Sequence, residues 1–284
     1  MNSPGMVLNG RYQLLSELGS GGSGNVFLAL DVYIEKKWAV KFIPYEKTMS
    51  ERLARNEQEF MKSLDHPAFP RIVDAFYTGE GFFIVSDYIE GSCLNEALRK
   101  RAIPLRKKCG YALSVLEALE YLHSQQPPIL YLDLKPENVM LTKDDQIRLI
   151  DFGVATRKRE AEMKFGTPGF AAPELYRGEG NGLDERTDIF SFGMLFYSML
   201  SLSPPNKDLN IERRLIRSNN SIPKSLRKLI LRCTGREKSF RFQNVREVRK
   251  ELTAYLNRPK RSLLMFLLFL SIAGLFMLFW RRLN

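Results

Sequence analysis

Lys41 stands inside an apolar run that alternates as a strand does, Trp38-Ala39-Val40-Lys41-Phe42-Ile43. An ammonium group there must reach water or meet an anion, because burying it alone is costly. The following segment carries the anion. Leu53, Glu57, Met61 and Leu64 recur at spacings of four, four and three, which places them on one face of a helix over residues 51–64. Glu57 is then a carboxylate within an apolar stripe, and pairing it with Lys41 relieves both residues. Glu59, about 200° further round the helix, faces solvent. Such a chain has to pack that strand against that helix.

The surrounding pattern fits this demand. Residues 11–15, 25–30 and 38–43 alternate apolar and polar positions and read as three antiparallel strands. Residues 82–85 form another. Beyond residue 90 the periodicity turns helical, over 105–123, over the apolar stretch 189–200, and over several short basic helices within 211–256. The expectation is an α+β chain with a small β-rich lobe followed by a larger helical one. Between the first two strands lies Gly19-Ser20-Gly21-Gly22-Ser23-Gly24-Asn25-Val26. Glycines at this spacing let the backbone approach a phosphate closely with its amides turned toward the anion. A plain hairpin turn is the alternative. The strand-to-strand setting excludes a dinucleotide fingerprint, which needs a helix after the glycines.

Charge is distributed unevenly. The net charge is +11, yet residues 211–284 hold 18 basic and 4 acidic residues, so the remainder is slightly acidic. Residues 263–280 contain no charge, and as a helix they span about 27 Å, close to a bilayer's hydrocarbon core. Arg258, Lys260 and Arg261 precede this run, and Trp280, Arg281 and Arg282 end it. A single membrane span is expected over 263–280, with a basic linker at 258–262 and a tail at 281–284. The linker suits anionic lipid. Nucleic acid is the competing ligand for such a surface. Residues 1–10 show neither a basic segment ahead of an apolar run nor a glycine after Met1, so neither a signal peptide nor myristoylation is expected. Cys93, Cys109 and Cys233 are odd in number and far apart, which fits free thiols in a reducing cytoplasm.

The densest motif is Tyr131-Leu132-Asp133-Leu134-Lys135-Pro136-Glu137-Asn138. A strand pair then leads to Asp151-Phe152-Gly153, followed by Gly166-Thr167-Pro168-Gly169-Phe170 and Ala172-Pro173-Glu174. Together with the glycine loop, Lys41 and Glu57, this order and spacing resembles the eukaryotic-type (Hanks-type) serine/threonine protein kinase family. The resemblance runs over about residues 11–256. It implies the two-lobed kinase fold over 11–257, with an N-lobe at 11–87 and a C-lobe at 88–257.

The resemblance also implies roles. Gly19, Ser20, Gly21, Gly22, Ser23 and Gly24 would cover the phosphates of ATP. Lys41, positioned by Glu57, would hold the α- and β-phosphates. Asp133 would take the proton of a substrate hydroxyl, and Lys135 would contact the γ-phosphate. Asn138 and Asp151 would hold Mg²⁺. Val26, Ala39 and Met140 would enclose the purine, with Asp87 and Ile89 offering backbone groups and Ser86 as a small gatekeeper. Lys135 and Thr167 follow the serine/threonine pattern, so protein substrates bearing serine or threonine are implied. Glu174 would pair with Arg241, and Asp188 would brace the catalytic loop.

Two departures stand out. The family's His-Arg-Asp is Tyr131-Leu132-Asp133 here, and Leu132 cannot pair with a phosphate as arginine does. Between Gly153 and Gly166 the only hydroxyl residue is Thr156. Activity independent of activation-segment phosphorylation is therefore expected, from a kinase domain facing the cytoplasm under a single-pass anchor. A membrane-tethered pseudokinase acting as a nucleotide-binding scaffold is the alternative, and retention of Lys41, Asp133, Asn138 and Asp151 weighs against it. A small-molecule phosphotransferase is a second alternative, against which the segment 166–174 argues.

Overall fold

The structure is a computed structural model that describes residues 3–21, 24–44, 58–157, 166–177 and 182–258, apart from the side chains of 21, 157, 177 and 211. The expected span at 263–280, and with it the linker from residue 259 onward and the tail, lies outside the described residues. So do Gly22, Ser23 and Glu57. Among the described residues, no helix is long and apolar enough to cross a membrane.

The N-terminal part is a six-stranded antiparallel sheet. Its strands are β1 (Val7–Leu8), β2 (Tyr12–Gly21), β3 (Gly24–Asp31), β4 (Lys36–Pro44), β5 (Ile72–Tyr77) and β6 (Gly81–Asp87). They run in the order β1-β2-β3-β4-β6-β5. The three alternating runs and the 82–85 strand are β2, β3, β4 and β6. β1 and β5 were not read from the pattern. In β5 the pairing slips by one residue between Ile72 and Asp74, which breaks the alternation.

Period-two geometry sorts β4 between its two faces. Trp38 and Val40 are buried with Tyr12, Leu14, Phe27, Ala29, Phe83 and Val85 in the sheet's own core. Ala39, Lys41 and Ile43 point to the opposite face, where Ile43 joins the main core alongside Phe60, Met61 and Leu64. Residues 58–63 are helical (α1), and Glu59 is exposed as its position on the wheel requires.

The remainder is mostly helical. It comprises β7 (Gly91–Cys93), α2 (Leu94–Lys100), α3 (Leu105–His123), β8 (Ile129–Leu130), β9 (Val139–Thr142), β10 (Ile147–Leu149), β11 (Thr156–Arg157), α4 (Pro173–Arg177), α5 (Glu185–Ser201), α6 (Leu209–Ser218), α7 (Lys224–Cys233) and α8 (Val245–Leu256). Every residue of α5 from Thr187 to Met199 is buried, as expected of a helix apolar on all faces. Gly193 is required by close packing, since a Cβ there would lie 2.6 Å from the Cys233 side chain on α7. Asp184 caps α5 by accepting from the Arg186 amide, which starts the helix earlier than its apolar run. Cys109 and Cys233 are buried and Cys93 half-buried, all as free thiols.

Two small sheets position the loops that matter. β9 and β10 form a hairpin flanked by β7, and β8 pairs with β11. The loop after β8 and the loop after β10 are thereby brought side by side. A backbone hydrogen bond from Ile150 to the Asn138 carbonyl, 3.0 Å, joins them.

Candidate active site

The site is built on the loop 131–138. Its backbone is anchored by Asp188 near the start of α5, whose Oδ2 accepts from the Tyr131 amide at 2.9 Å and whose Oδ1 accepts from the Leu132 amide at 2.8 Å. His123, at the end of α3, lies 2.8 Å from the same Oδ2. Asp188 is fully buried, so these contacts answer the need of a buried carboxylate for partners. They also hold Leu132 at φ +66°, a conformation that side-chain-bearing residues rarely adopt. The bracing by Asp188 is as expected from the sequence. The part played by His123 was not foreseen, because a lone histidine ending a helix carries no pattern.

Three side chains converge on Asp133. Lys135 Nζ donates to Asp133 Oδ2 at 2.6 Å and to Thr167 Oγ1 at 3.0 Å. Thr167 Oγ1 donates to Asp133 Oδ1 at 2.8 Å. Asn138 Nδ2 donates to both the Asp133 carbonyl and Oδ2, each at 2.9 Å. Asp133 is thus oriented through both of its carboxylate oxygens. With the Asn138 nitrogen committed in this way, the amide oxygen is the atom left to face a cation.

Asp151 stands on the adjacent loop at φ +69°. Its Oδ1 accepts from Lys41 Nζ at 2.8 Å and from the Gly153 amide at 3.1 Å. The buried ammonium group of β4 therefore has a carboxylate partner within the described residues. The expected pairing with Glu57 falls outside them. Among the described residues no three His, Cys, Asp or Glu side chains cluster as a metal cage. The oxygen pair of Asp151 and Asn138 instead fits a hard cation that takes few protein ligands and completes its shell with water and phosphate, as Mg²⁺ does.

Val26, Ala39, Ser86, Asp87, Ile89 and Met140 are all half-buried, as residues lining a cleft should be. Ala39 pairs with Ser86, and Val26 with Lys41, in the sheet register. Arg71 was not singled out in the sequence. It grips Asp87 through Nε at 2.9 Å and Nη2 at 3.3 Å, and burial notwithstanding, these bonds hold the Asp87 carboxyl below its ordinary pKa. Gly19 and Ser20 are exposed. Gly24 has φ +125°, and a Cβ there would meet the Phe42 carbonyl oxygen at 2.2 Å, so only glycine fits.

Away from Asp133, Arg241 Nη1 and Nη2 bind the two oxygens of Glu174 at 2.7 and 2.8 Å, both residues being buried. Thr187 adds a bond to Glu174 at 3.0 Å. This pairing matches the expectation. Tyr131 packs edge-on to Phe152, centroids 5.4 Å apart, and its hydroxyl donates to the Ile150 carbonyl. Tyr131 and Phe152 lie in one core with Met61, and Ile72 packs against it.

A family model described as the protein kinase domain matches residues 12–259. The chain belongs to the protein kinase family. Curated kinases align over much of it. A probable serine/threonine-protein kinase of Clostridium acetobutylicum is 30% identical over 269 residues, covering 88% of this chain and 40% of that protein. The serine/threonine-protein kinase PrkC of Bacillus subtilis is 28% identical, covering 87% of this chain and 41% of that protein. Smooth-muscle myosin light chain kinase of Gallus gallus is 36% identical over 201 residues, covering 68% of this chain and 10% of that protein. The chain thus spans less than half the length of these kinases.

Proposed function

We propose that this chain is a serine/threonine protein kinase that transfers the γ-phosphoryl group of ATP to protein hydroxyls. The observation that carries the reading is the closed arrangement of Asp133, Lys135 and Thr167, with Asn138 bonded to the same carboxylate. Asp133 orients the serine or threonine hydroxyl and takes its proton as the oxygen is phosphorylated. Lys135 keeps Asp133 in place and contacts the transferred group. Its bond to Thr167 ties the catalytic loop to the segment that would receive a peptide, the pattern of kinases acting on serine and threonine. Lys41, aligned by Glu57, holds the phosphates. Asp151 and Asn138 would hold Mg²⁺, and ATP supplies the phosphoryl group. Bound there, the cation would neutralise charge that builds on that group.

The buried position of Leu132 supports activity without phosphorylation of the activation segment. Leu132 is 1% exposed and packs in one apolar cluster with Phe170, Ala171, Ala172, Leu175 and Phe190. Apolar contact thus ties the loop to the following segment where other kinases use an arginine and a phosphate. Thr156 is itself buried in β11.

The reading further places the kinase domain in the cytoplasm, tethered by the span at 263–280 with its basic linker against anionic lipid. The charge-free length of that run and its basic flanks support this. The test is phosphate transfer from labelled ATP with Mg²⁺ by the full chain in anionic liposomes, beside Asp133→Asn and Asp151→Asn. Transfer onto serine or threonine that both substitutions abolish is the expected result. ATP binding without any transfer would favour the scaffold reading instead.

A further inference from the structure

The α6–α7 pair carries a charge that the fold does not use. Residues 213–236 contain eight basic residues and no acidic one. Two of the eight serve the packing. Arg213 Nη1 donates to the carbonyls of Leu231, 3.0 Å, and Thr234, 2.5 Å, and Arg227 donates to the Arg217 carbonyl. These carbonyls accept from the two guanidinium groups without neutralising their charge. Burial first, and then the positive charge of Arg217, push the pKa of Arg213 down. Arg232 reaches Glu247 and Glu251 on α8.

Arg214, Arg217, Lys224 and Lys228 are exposed, and their side chains have no carboxylate partner among the described residues. Arg214 and Arg217 are three residues apart on α6, and Lys224 and Lys228 four apart on α7, so each pair shares a helix face. Lys224 is the first residue of α7, where the helix dipole disfavours a cation. Its charge therefore works against the helix that carries it. Neither helix offers an aromatic residue on which a base could stack. Clustered exposed cations without a stacking aromatic suit anionic lipid headgroups better than a single-stranded nucleic acid.

We propose that α6 and α7 form an anionic-lipid docking face, with Arg214, Arg217, Lys224 and Lys228 as its contacts. This rests on the reading that residues 263–280 span a bilayer, which keeps the domain close to the surface. The anchor gives proximity and the face gives orientation, turning one side of the C-lobe to the membrane.

The test uses the full chain in lipid nanodiscs, either of phosphatidylcholine or of phosphatidylcholine mixed equally with phosphatidylglycerol. Lysine acylation is read at Lys224 and Lys228 by mass spectrometry, with exposed Lys37 on β4 as internal reference. Acylation of Lys224 and Lys228 should be about tenfold slower in the anionic discs, with Lys37 unchanged. Molar salt should remove the difference, and Arg214→Gln with Arg217→Gln should shrink it. Equal acylation in the two lipids, with the chain co-eluting with the discs, overturns the docking face and leaves the anchor standing. A chain that enters no disc overturns the anchor instead, and the same labelling on free vesicles of the two compositions then decides the face. Protection by an RNA homopolymer in neutral discs, without protection by phosphatidylglycerol, overturns lipid in favour of nucleic acid.

Discussion

Lys41 Nζ lies 2.8 Å from Asp151 Oδ1, joining the middle of β4 to the loop after β10 across 110 residues of sequence. The lysine side chain is 11% exposed, so the contact forms where water screens it weakly. It brings the proposed phosphate-holding cation and the proposed metal-holding carboxylate to the same place.

Removing either side chain should therefore cost more than affinity. Lys41→Met and Asp151→Asn should each lower the rate of phosphoryl transfer by roughly a hundredfold or more. Steady-state kinetics with a peptide substrate, alongside nucleotide binding, would check this. Wild-type turnover in either variant would remove both residues from the chemistry.

Thr167 touches both Asp133 and Lys135 without being placed to react. Thr167→Val should lower kcat about tenfold by releasing the two side chains, with a smaller effect on KM. Thr167→Ser keeps the hydroxyl and should restore most of the rate. A serine variant as slow as the valine variant would show that the methyl group matters and the hydrogen bonds do not.

Leu132 fills an apolar cluster at 1% exposure. Leu132→Ala should destabilise the fold by about 2–5 kcal/mol, the usual cost of such a cavity. Phosphatase treatment of the wild-type chain should leave transfer unaltered. Activity lost on dephosphorylation, and regained only when the segment between Gly153 and Gly166 is rephosphorylated, would contradict the reading.

Asp184 predicts a pH dependence. Burial alone would raise its pKa, but hydrogen bonds from Arg186 and the nearby charge of Lys238 bring it down to about 2. Its unfolded value is about 3.9, so folding is favoured by the ionised form. That contribution is fully present above about pH 4 and is lost as pH falls toward about 2. Asp184→Ala should cost about 1 kcal/mol at neutral pH through loss of the α5 cap, and the difference from wild type should narrow in acid. Urea unfolding followed across that pH range would measure both.

The buried Glu174–Arg241 pair gives a further prediction. Arg241→Met leaves a buried carboxylate with only Thr187 and should destabilise by roughly 3–5 kcal/mol. Replacing both partners with apolar residues should cost less. Thermal unfolding of the single and double variants would decide.

Much of this fold is legible from local pattern. The helix at Leu105–His123 coincides with its periodicity, and the strands on either side of the glycine loop follow from alternation, because one turn or one pleat fixes which residues share a face. β5 escaped because its register slip breaks the alternation, and the first turn of α5 because its start is set by the Asp184 cap. The motifs also named Asp133, Asn138, Asp151 and Thr167, since a motif depends on residue type and order. What order alone could not decide is who touches whom. Thr167 reaches Asp133 from 34 residues away, and Asp188 binds the Tyr131 and Leu132 amides from 57 and 56 residues away. Such contacts depend on how α5, the β9–β10 hairpin and the sheet pack together. Packing is a property of the whole core, and it left Leu132 facing apolar side chains and Arg214, Arg217, Lys224 and Lys228 facing outward.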